Sequence, residues 1–365
     1  MVNKILIVAG TRPEIIKLAP VAHALGKVAT LCLVHTGQHR EMGAAAWQWF
    51  DLQPHYDLDV MEEDQPLSVL LGRLLQALHP VFAAEKPDFV IVQGDTASAL
   101  AGALAAFYQH IPVAHVEAGL RTFDPTQPFP EEMQRVLISR LASLHFAPTA
   151  QARDFLLREG IPDEQVIVAG NTVVDSLKWL LESGKGRLPE PAHKALAQGR
   201  RLVAVTAHRR ENQGERLPAL CESLKSLVAR HDVEIIFAVH PNPGVRRPVY
   251  ALLDNQPGIH LLDPIPYPDF IRLLQACHFI VTDSGGIQEE ASMLQKPVIL
   301  LREVTERPEA EQAGVVKRVS PQTLLEEADR LLDDEVYYVS RCQSPALYGD
   351  GNAALRISQG LVVSS

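Results

Sequence analysis

At 365 residues the chain has room for two domains of ordinary size and is too long for one simple core. Hydrophobic residues make up 47% and charged residues 21%, a globular balance that excludes wholesale disorder. A net charge of -10 excludes broad electrostatic binding to nucleic acid or an anionic membrane, but not an anionic small molecule in a locally basic cleft.

The chain opens on an apolar run, MVNKILIVAG, that is too brief for a signal peptide and lacks an A-x-A cleavage pattern. It reads instead as a strand, Lys4–Ala9. Further strands are expected over Thr30–His35, Phe89–Gln93, Val113–Glu117, Leu144–Phe146 and Val166–Val168. Helical stretches alternate with them: Glu14–Leu25, Leu67–Ala84, Ser98–Gln109 and Glu131–Ser143. The strand runs are apolar throughout, which suits a parallel sheet covered on both faces.

After Trp179 the alternation stops. The Gly- and Pro-bearing segment Ser183–Gln198 reads as a surface connection. Strands then resume over Leu202–Thr206, Glu234–Val239, Ile259–Leu262, Phe279–Thr282 and Val298–Leu301. Helices between them are expected over Arg216–Arg230, Val245–Leu253, Pro268–Gln275 and Ile287–Leu294. The expected fold class is α/β, with two Rossmann-like domains facing a central cleft. Residues 1–170 form the first domain, 171–345 the second, and 346–365 a C-terminal helix that packs back on the first.

Four scattered cysteines, Cys32, Cys221, Cys277 and Cys342, have no CxxC spacing, which argues against a zinc site or disulfide framework and for a reducing compartment. No apolar stretch reaches the roughly 20 residues needed to span a bilayer.

Ligands of open α/β sheets sit beyond the carboxyl ends of the strands, so residues just after strands carry the functional reading. The first strand runs into Gly10-Thr11-Arg12-Pro13-Glu14, with Lys17 close by. This is either an ordinary helix start or a phosphate site built from backbone N–H groups and positive charge. There is no GxGxxG and no Walker lysine motif, which weakens dinucleotide and P-loop readings. Asp283-Ser284-Gly285-Gly286 opens a later helix, and the glycines let backbone amides approach a diphosphate at its positive end. Glu290, a turn further on, can accept hydrogen bonds from ribose hydroxyls. The plainer alternative is a serine N-cap on a Gly-Gly turn.

Carboxylates gather at strand ends of the first half: Asp95, Glu117, and Glu131 with Glu132 at a helix start, Arg135 following one turn later. Singly, each is an N-cap or surface charge; together they suit acid–base chemistry, which needs groups in different protonation states. His208 and His240 end strands of the second half, where a histidine can donate a proton to a leaving phosphate or steady its charge. Thr305-Glu306-Arg307 adds an arginine. No His-x-x-x-His or carboxylate triad has metal-ligand spacing.

Taken in order, the strings GTRPEIIKLAP, TGQHREM, VQGDTAS, HVEAGLRT, PFPEEMQR, GNTVVDS, HRREN, VHPNP, TDSGGIQEEA and TERPEA resemble the bacterial non-hydrolysing UDP-N-acetylglucosamine 2-epimerases. They run from Gly10 to Ala310. The resemblance implies two Rossmann-like domains of the GT-B type, as in nucleotide-sugar glycosyltransferases, and a cytoplasmic homodimer. It implies reversible conversion of UDP-GlcNAc to UDP-ManNAc with no cofactor, neither NAD nor metal, through elimination and re-addition of UDP. It also implies a supply of ManNAc units for cell-surface polysaccharide. Residue by residue, Asp95, Glu117 and Glu131 match the acid–base set, and His208 the partner of the leaving diphosphate. Arg12, Ser284, Gly285 and Gly286 match the phosphate contacts, Glu290 the ribose contact and Phe270 the uracil seat. Lys17, Arg135 and Arg307 match supporting charges. Which carboxylate removes the proton stays open.

Some bacterial relatives carry a second, activating UDP-GlcNAc site, whose matching positions here are Gln38, Gln65, Arg209 and His240. This chain departs from that pattern, with Glu41 in place of a common Gln and Asp64 in place of a common Arg. An Asp beside a diphosphate weakens anion binding. Three rivals remain: a glycosyltransferase with the same nucleotide-sugar cleft, a hydrolysing epimerase, and a non-catalytic nucleotide-sugar sensor.

Overall fold

The computed structural model describes residues 3–363 except 39, 63, 210, 211, 213, 304–306 and 344–346. Its first compact unit comprises Met1–Leu180 and Tyr348–Ser365, and its second Leu181–Leu347.

The first unit is built on strands β1 (Lys4–Ala9), β2 (Thr30–His35), β3 (Tyr56–Asp57), β4 (Phe89–Gln93), β5 (Val113–Val116), β6 (Leu144–Ala147) and β7 (Val166–Val168). They pair in parallel in the order β3-β2-β1-β4-β5-β6-β7. Side chains alternate across a strand, so an unbroken apolar run feeds two cores at once. Ile5, Ile7 and Ala9 of β1 join the helices Arg12–Leu25 and Ala353–Val363 through Ile15, Leu18, Ile357 and Leu361. Leu6 and Val8 join the helices Leu67–Glu85 and Ala97–Tyr108 through Leu70, Leu74 and Ala101.

The second unit repeats the plan with β8 (Arg201–Thr206), β9 (Val233–Ala238), β10 (Ile259–Leu262), β11 (Phe279–Thr282), β12 (Val298–Leu300) and β13 (Val316–Arg318). All pairs are parallel, in the order β10-β9-β8-β11-β12-β13. Val203, Val205, Ile235, Phe237 and Val281 pack against the helices Arg216–Arg230, Pro243–Leu253 and Leu324–Asp333. In each sheet the winding reverses once, between β1 and β4 and between β8 and β11. Such switch points open a crevice at the carboxyl ends of the strands.

The structure departs from the sequence reading in several places. The first unit extends past residue 170 because the helix Thr172–Glu182 buries Val173, Val174, Leu177 and Leu180. Trp179 of that helix stacks on His23 and leans against Phe50. The segment 183–198 is not all connection, since it contains a helix, Glu190–Ala197, that buries Ala192 and Ala195. Two buried apolar positions in eight residues are too few to betray a period. The short edge strands β3 and β13 escaped for the same reason.

The helix Leu67–Glu85 is long and apolar enough to cross a membrane by length and composition. Ser68, Gly72, Arg73, Gln76 and His79 break its apolar run without lowering its average enough. Leu70, Leu74, Leu78, Val81 and Phe82 follow a helical period and are buried in the first unit.

The C-terminal segment is therefore part of the first core. Ile357 is 0% exposed, so Ile357→Ala is expected to destabilise the first unit by roughly 2–5 kcal/mol. Denaturant unfolding followed by Trp179 fluorescence in a Trp47→Phe, Trp49→Phe background measures it. A loss well under 1 kcal/mol would contradict the packing.

Candidate active site

In the first unit, the turn after β1 becomes the helix Arg12–Leu25. Thr11 caps it in an extended conformation, and Pro13 occupies the first turn, where its missing N–H costs no bond. Glu14 is 1% exposed. Its Oε2 accepts the backbone N–H of Gly10 at 3.1 Å and of Thr11 at 2.7 Å, and its Oε1 accepts the hydroxyl of Thr96 at 2.7 Å. Burial pushes this carboxyl up to about 7, although the bonds from Thr96, Thr11 and Gly10 pull the other way.

After β4, Gly94 at φ +70° supplies a left-handed turn that favours glycine. Asp95 follows and pairs with Arg135 Nη2 at 2.6 Å. Burial pushes the Asp95 carboxyl above its ordinary range; Arg135 opposes the rise and Glu131 adds to it. His115 of β5 donates from Nε2 to the Gly94 carbonyl at 2.7 Å, and burial holds it neutral, pushed down to about 3. After β5, Glu117 stands at φ +63°, a conformation that costs a non-glycine residue on the order of 1–2 kcal/mol. Both its oxygens grip the Lys17 ammonium, at 2.7 and 2.6 Å, and the Gln93 amide also donates to it.

Glu131 begins the helix Glu131–Leu141 and is half-buried. Glu132 beside it is 2% exposed and accepts the N–H groups of Thr122 and Phe123, so it anchors a loop. The structure thus brings Asp95, Glu117, Lys17 and Arg135 to neighbouring strand ends, with Glu131 near enough to act on Asp95. Two carboxylates, one facing an ammonium and one a guanidinium, stand in different electrostatic surroundings, as proton exchange requires.

In the second unit the organising group is Asp283, which is 0% exposed. Its Oδ1 meets His208 Nδ1 at 2.9 Å. Its Oδ2 accepts the backbone N–H of His208, the backbone N–H of Arg209 and the Asn212 amide, each at 2.9 Å. Burial alone raises such a carboxyl, but His208 and these donors outweigh it and hold Asp283 below the ordinary range. The pairing keeps a proton on Nδ1 of His208 and leaves Nε2 for a ligand. His240 stacks on His208 with ring centroids 5.7 Å apart.

Ser284 precedes the helix Gly285–Met293, whose first N–H groups lack intrahelical acceptors by geometry. A Cβ placed on Gly286 would meet nothing within 4 Å. This glycine therefore leaves room in front of the helix end, where an anion is favoured. Glu290 accepts the Tyr267 hydroxyl at 2.6 Å, which ties its helix to Tyr267–Ala276, the helix that carries Phe270. Arg307 pairs through Nε with the buried Glu289 at 2.6 Å.

Arg12 is half-buried as the first residue of its helix. Of the residues matched to a second site, Gln38 accepts from the Ser98 hydroxyl at 2.8 Å and Gln65 accepts the Glu62 N–H at 3.0 Å. Arg209 lies in the turn after β8, its backbone N–H bonded to Asp283, beside the stacked His208 and His240. The side chain of Glu41 and residues Thr305 and Glu306 lie outside the described residues. Glu14, His115, Asp283 and Tyr267 went unassigned in the sequence. Only Glu14 left a readable sign, the T-x-x-E capping pattern of Thr11 and Glu14. Among the described residues, no three His, Cys, Asp or Glu side chains gather as a metal site would need.

The chain matches a family model described as UDP-N-acetylglucosamine 2-epimerase over residues 23–362. It is 45% identical to the UDP-N-acetylglucosamine 2-epimerase of Escherichia coli (strain K12), over 98% of both chains. The Salmonella typhimurium protein of that name is 44% identical over the same share of each. Among solved structures, the UDP-GlcNAc 2-epimerase from Neisseria meningitidis bound to UDP-GlcNAc superposes with a TM-score of 0.89 at 41% identity, covering 99% of this chain and 100% of that one. The Staphylococcus aureus MnaA–UDP co-structure gives a TM-score of 0.89 at 40% identity, covering 99% and 96%.

The Glu14 shift has a measurable sign. A carboxyl raised from 4.5 to about 7 by burial penalises the ionised folded state. That group therefore costs stability progressively as pH rises from 4.5 to about 7, and no more above it. The unfolding free energy of wild type minus that of Glu14→Gln is expected to fall by on the order of 3 kcal/mol over this interval. Denaturant titrations at a series of pH values check it, and a flat difference would contradict the burial effect.

Proposed function

The chain belongs to the UDP-N-acetylglucosamine 2-epimerase family, and on that premise we propose that it interconverts UDP-GlcNAc and UDP-ManNAc by eliminating UDP and adding it back. Breaking the bond between carbon 1 and the diphosphate oxygen builds positive charge on the sugar, which acidifies the hydrogen on carbon 2. A carboxylate removes that proton, a double bond forms between carbons 1 and 2, and the 2-acetamidoglucal and UDP result. Return of a proton to the opposite face of carbon 2, with the diphosphate oxygen re-forming its bond to carbon 1, gives the other epimer.

The observation that carries this reading is the pair of strand-end carboxylates in unlike surroundings, Glu117 on Lys17 and Asp95 on Arg135. Removal and return of one proton at one carbon needs an acceptor and a donor together. We assign that exchange to Asp95, Glu117 and Glu131. Arg12 and the helix end at Ser284, Gly285 and Gly286 receive the diphosphate charge, and His208, steadied by Asp283, partners it as it departs. Glu290 serves the ribose and Phe270 the uracil. Lys17, Arg135 and Arg307 act as supporting charges. Cys32, Cys221, Cys277 and Cys342 are all free thiols, which fits the reducing cytoplasm. The family likeness supports a homodimer.

Glu117→Gln and Asp95→Asn are expected to keep UDP binding, read by calorimetry, and to lower epimerisation by roughly 10²–10⁴-fold, read by proton NMR of the two sugars. Near-normal turnover in both variants would remove these carboxylates from the chemistry.

A further inference from the structure

Glu14 is a fully buried carboxylate with no part in the chemistry above. An ordinary capping box needs only its contacts with Gly10 and Thr11. Here a third donor, the Thr96 hydroxyl, comes from 82 residues away and crosses the switch point from the β4 turn to the β1 turn. The same hydroxyl accepts the Ala99 N–H at 3.0 Å and caps the helix Ala97–Tyr108. One carboxylate is thus shared between two helix starts.

The neighbourhood has little slack. A Cβ on Gly10 would lie 2.1 Å from Ser98 Oγ and 2.1 Å from Thr36 Oγ1, and those hydroxyls bond each other at 2.7 Å. The helix that begins beside Glu14 carries Lys17, which grips Glu117. Thr96 directly follows Asp95 in the chain. The bond from Thr96 to Glu14 therefore links two of the acid–base carboxylates indirectly, Glu117 through Lys17 and Asp95 through the peptide chain.

We propose that Glu14 is a positioning residue for the epimerase reaction: through Thr96 it sets the placement of Asp95 relative to the Lys17–Glu117 pair. This rests on the epimerase reading. Small misplacements of reacting groups, on the order of 1 Å, can cost about 10²-fold in rate, so the tie acts on turnover more than on binding. Burial, which raises the Glu14 carboxyl, strengthens each hydrogen bond it accepts in the same low-dielectric interior.

The test compares Glu14→Gln, Thr96→Val, Thr96→Ser and the Glu14→Gln/Thr96→Val double variant, with kcat and KM for UDP-GlcNAc. The 13C resonance of the Asp95 carboxyl, assigned with Asp95→Asn, gives a reading that needs no turnover. Glu14→Gln and Thr96→Val are expected to lower kcat about tenfold or more while KM moves less than about threefold. Thr96→Ser, which keeps the hydroxyl, is expected to stay within about threefold of wild type, and the double variant to be no worse than the poorer single one. A kcat within about twofold of wild type in both single variants, or additive losses in the double, would overturn the proposal. So would a Thr96→Ser variant as poor as Thr96→Val. If the wild type does not epimerise, the function reading fails, and the Asp95 resonance then decides. A shift in Glu14→Gln supports the positioning, and an unmoved resonance refutes it.

Discussion

Where each sheet reverses its winding, two neighbouring turns lead off in opposite directions, and in each sheet a buried carboxylate on one turn binds donors from the other. Glu14 takes the amides of Gly10 and Thr11 and the hydroxyl of Thr96; Asp283, on the β11 turn, takes the amides of His208 and Arg209 and the side chain of Asn212 from the β8 turn. Arg12, Asp95, His208, Ser284, Gly285 and Gly286 sit on these turns, and Glu117 stands at the end of the neighbouring strand β5. The two carboxylates differ in charge balance. His208 and its companions hold Asp283 down, whereas Glu14, bound by neutral donors, is pushed up by burial.

The first unit accepts destabilising features at the same place. Glu117 sits in a left-handed backbone conformation that few non-glycine residues adopt, and Asp95 is desolvated beside a second carboxylate. Such features persist only where surrounding structure over-determines them. Lys17, Gln93 and Arg135 supply that determination here, and the two apolar cores on either face of β1 keep the strand ends from yielding.

Much of the fold was readable because buried parallel strands announce themselves as unbroken apolar runs, and Lys4–Ala9, Thr30–His35 and Phe89–Gln93 end where those runs end. The edge strands β3 and β13 and the helix Glu190–Ala197 were not readable, being too short to show a period. The strand-end rule also located Asp95, Glu117, His208 and Ser284. It could not show what holds them. Thr96 and Glu14 are 82 residues apart, and His208 and Asp283 are 75 apart, so nothing local marks either pair. Arg307 was read as a supporting charge, and the Glu289 carboxylate that holds its Nε left no trace in the sequence.

The most direct measurement of the central claim is incubation of the protein with UDP-GlcNAc alone in deuterium oxide, followed by NMR of carbon 2 in both sugars. Elimination and re-addition predict that UDP-ManNAc appears and that deuterium replaces the carbon 2 proton with no acceptor present. UDP-ManNAc formed with that proton fully retained, or UDP-GlcNAc recovered without label or epimer, would contradict it.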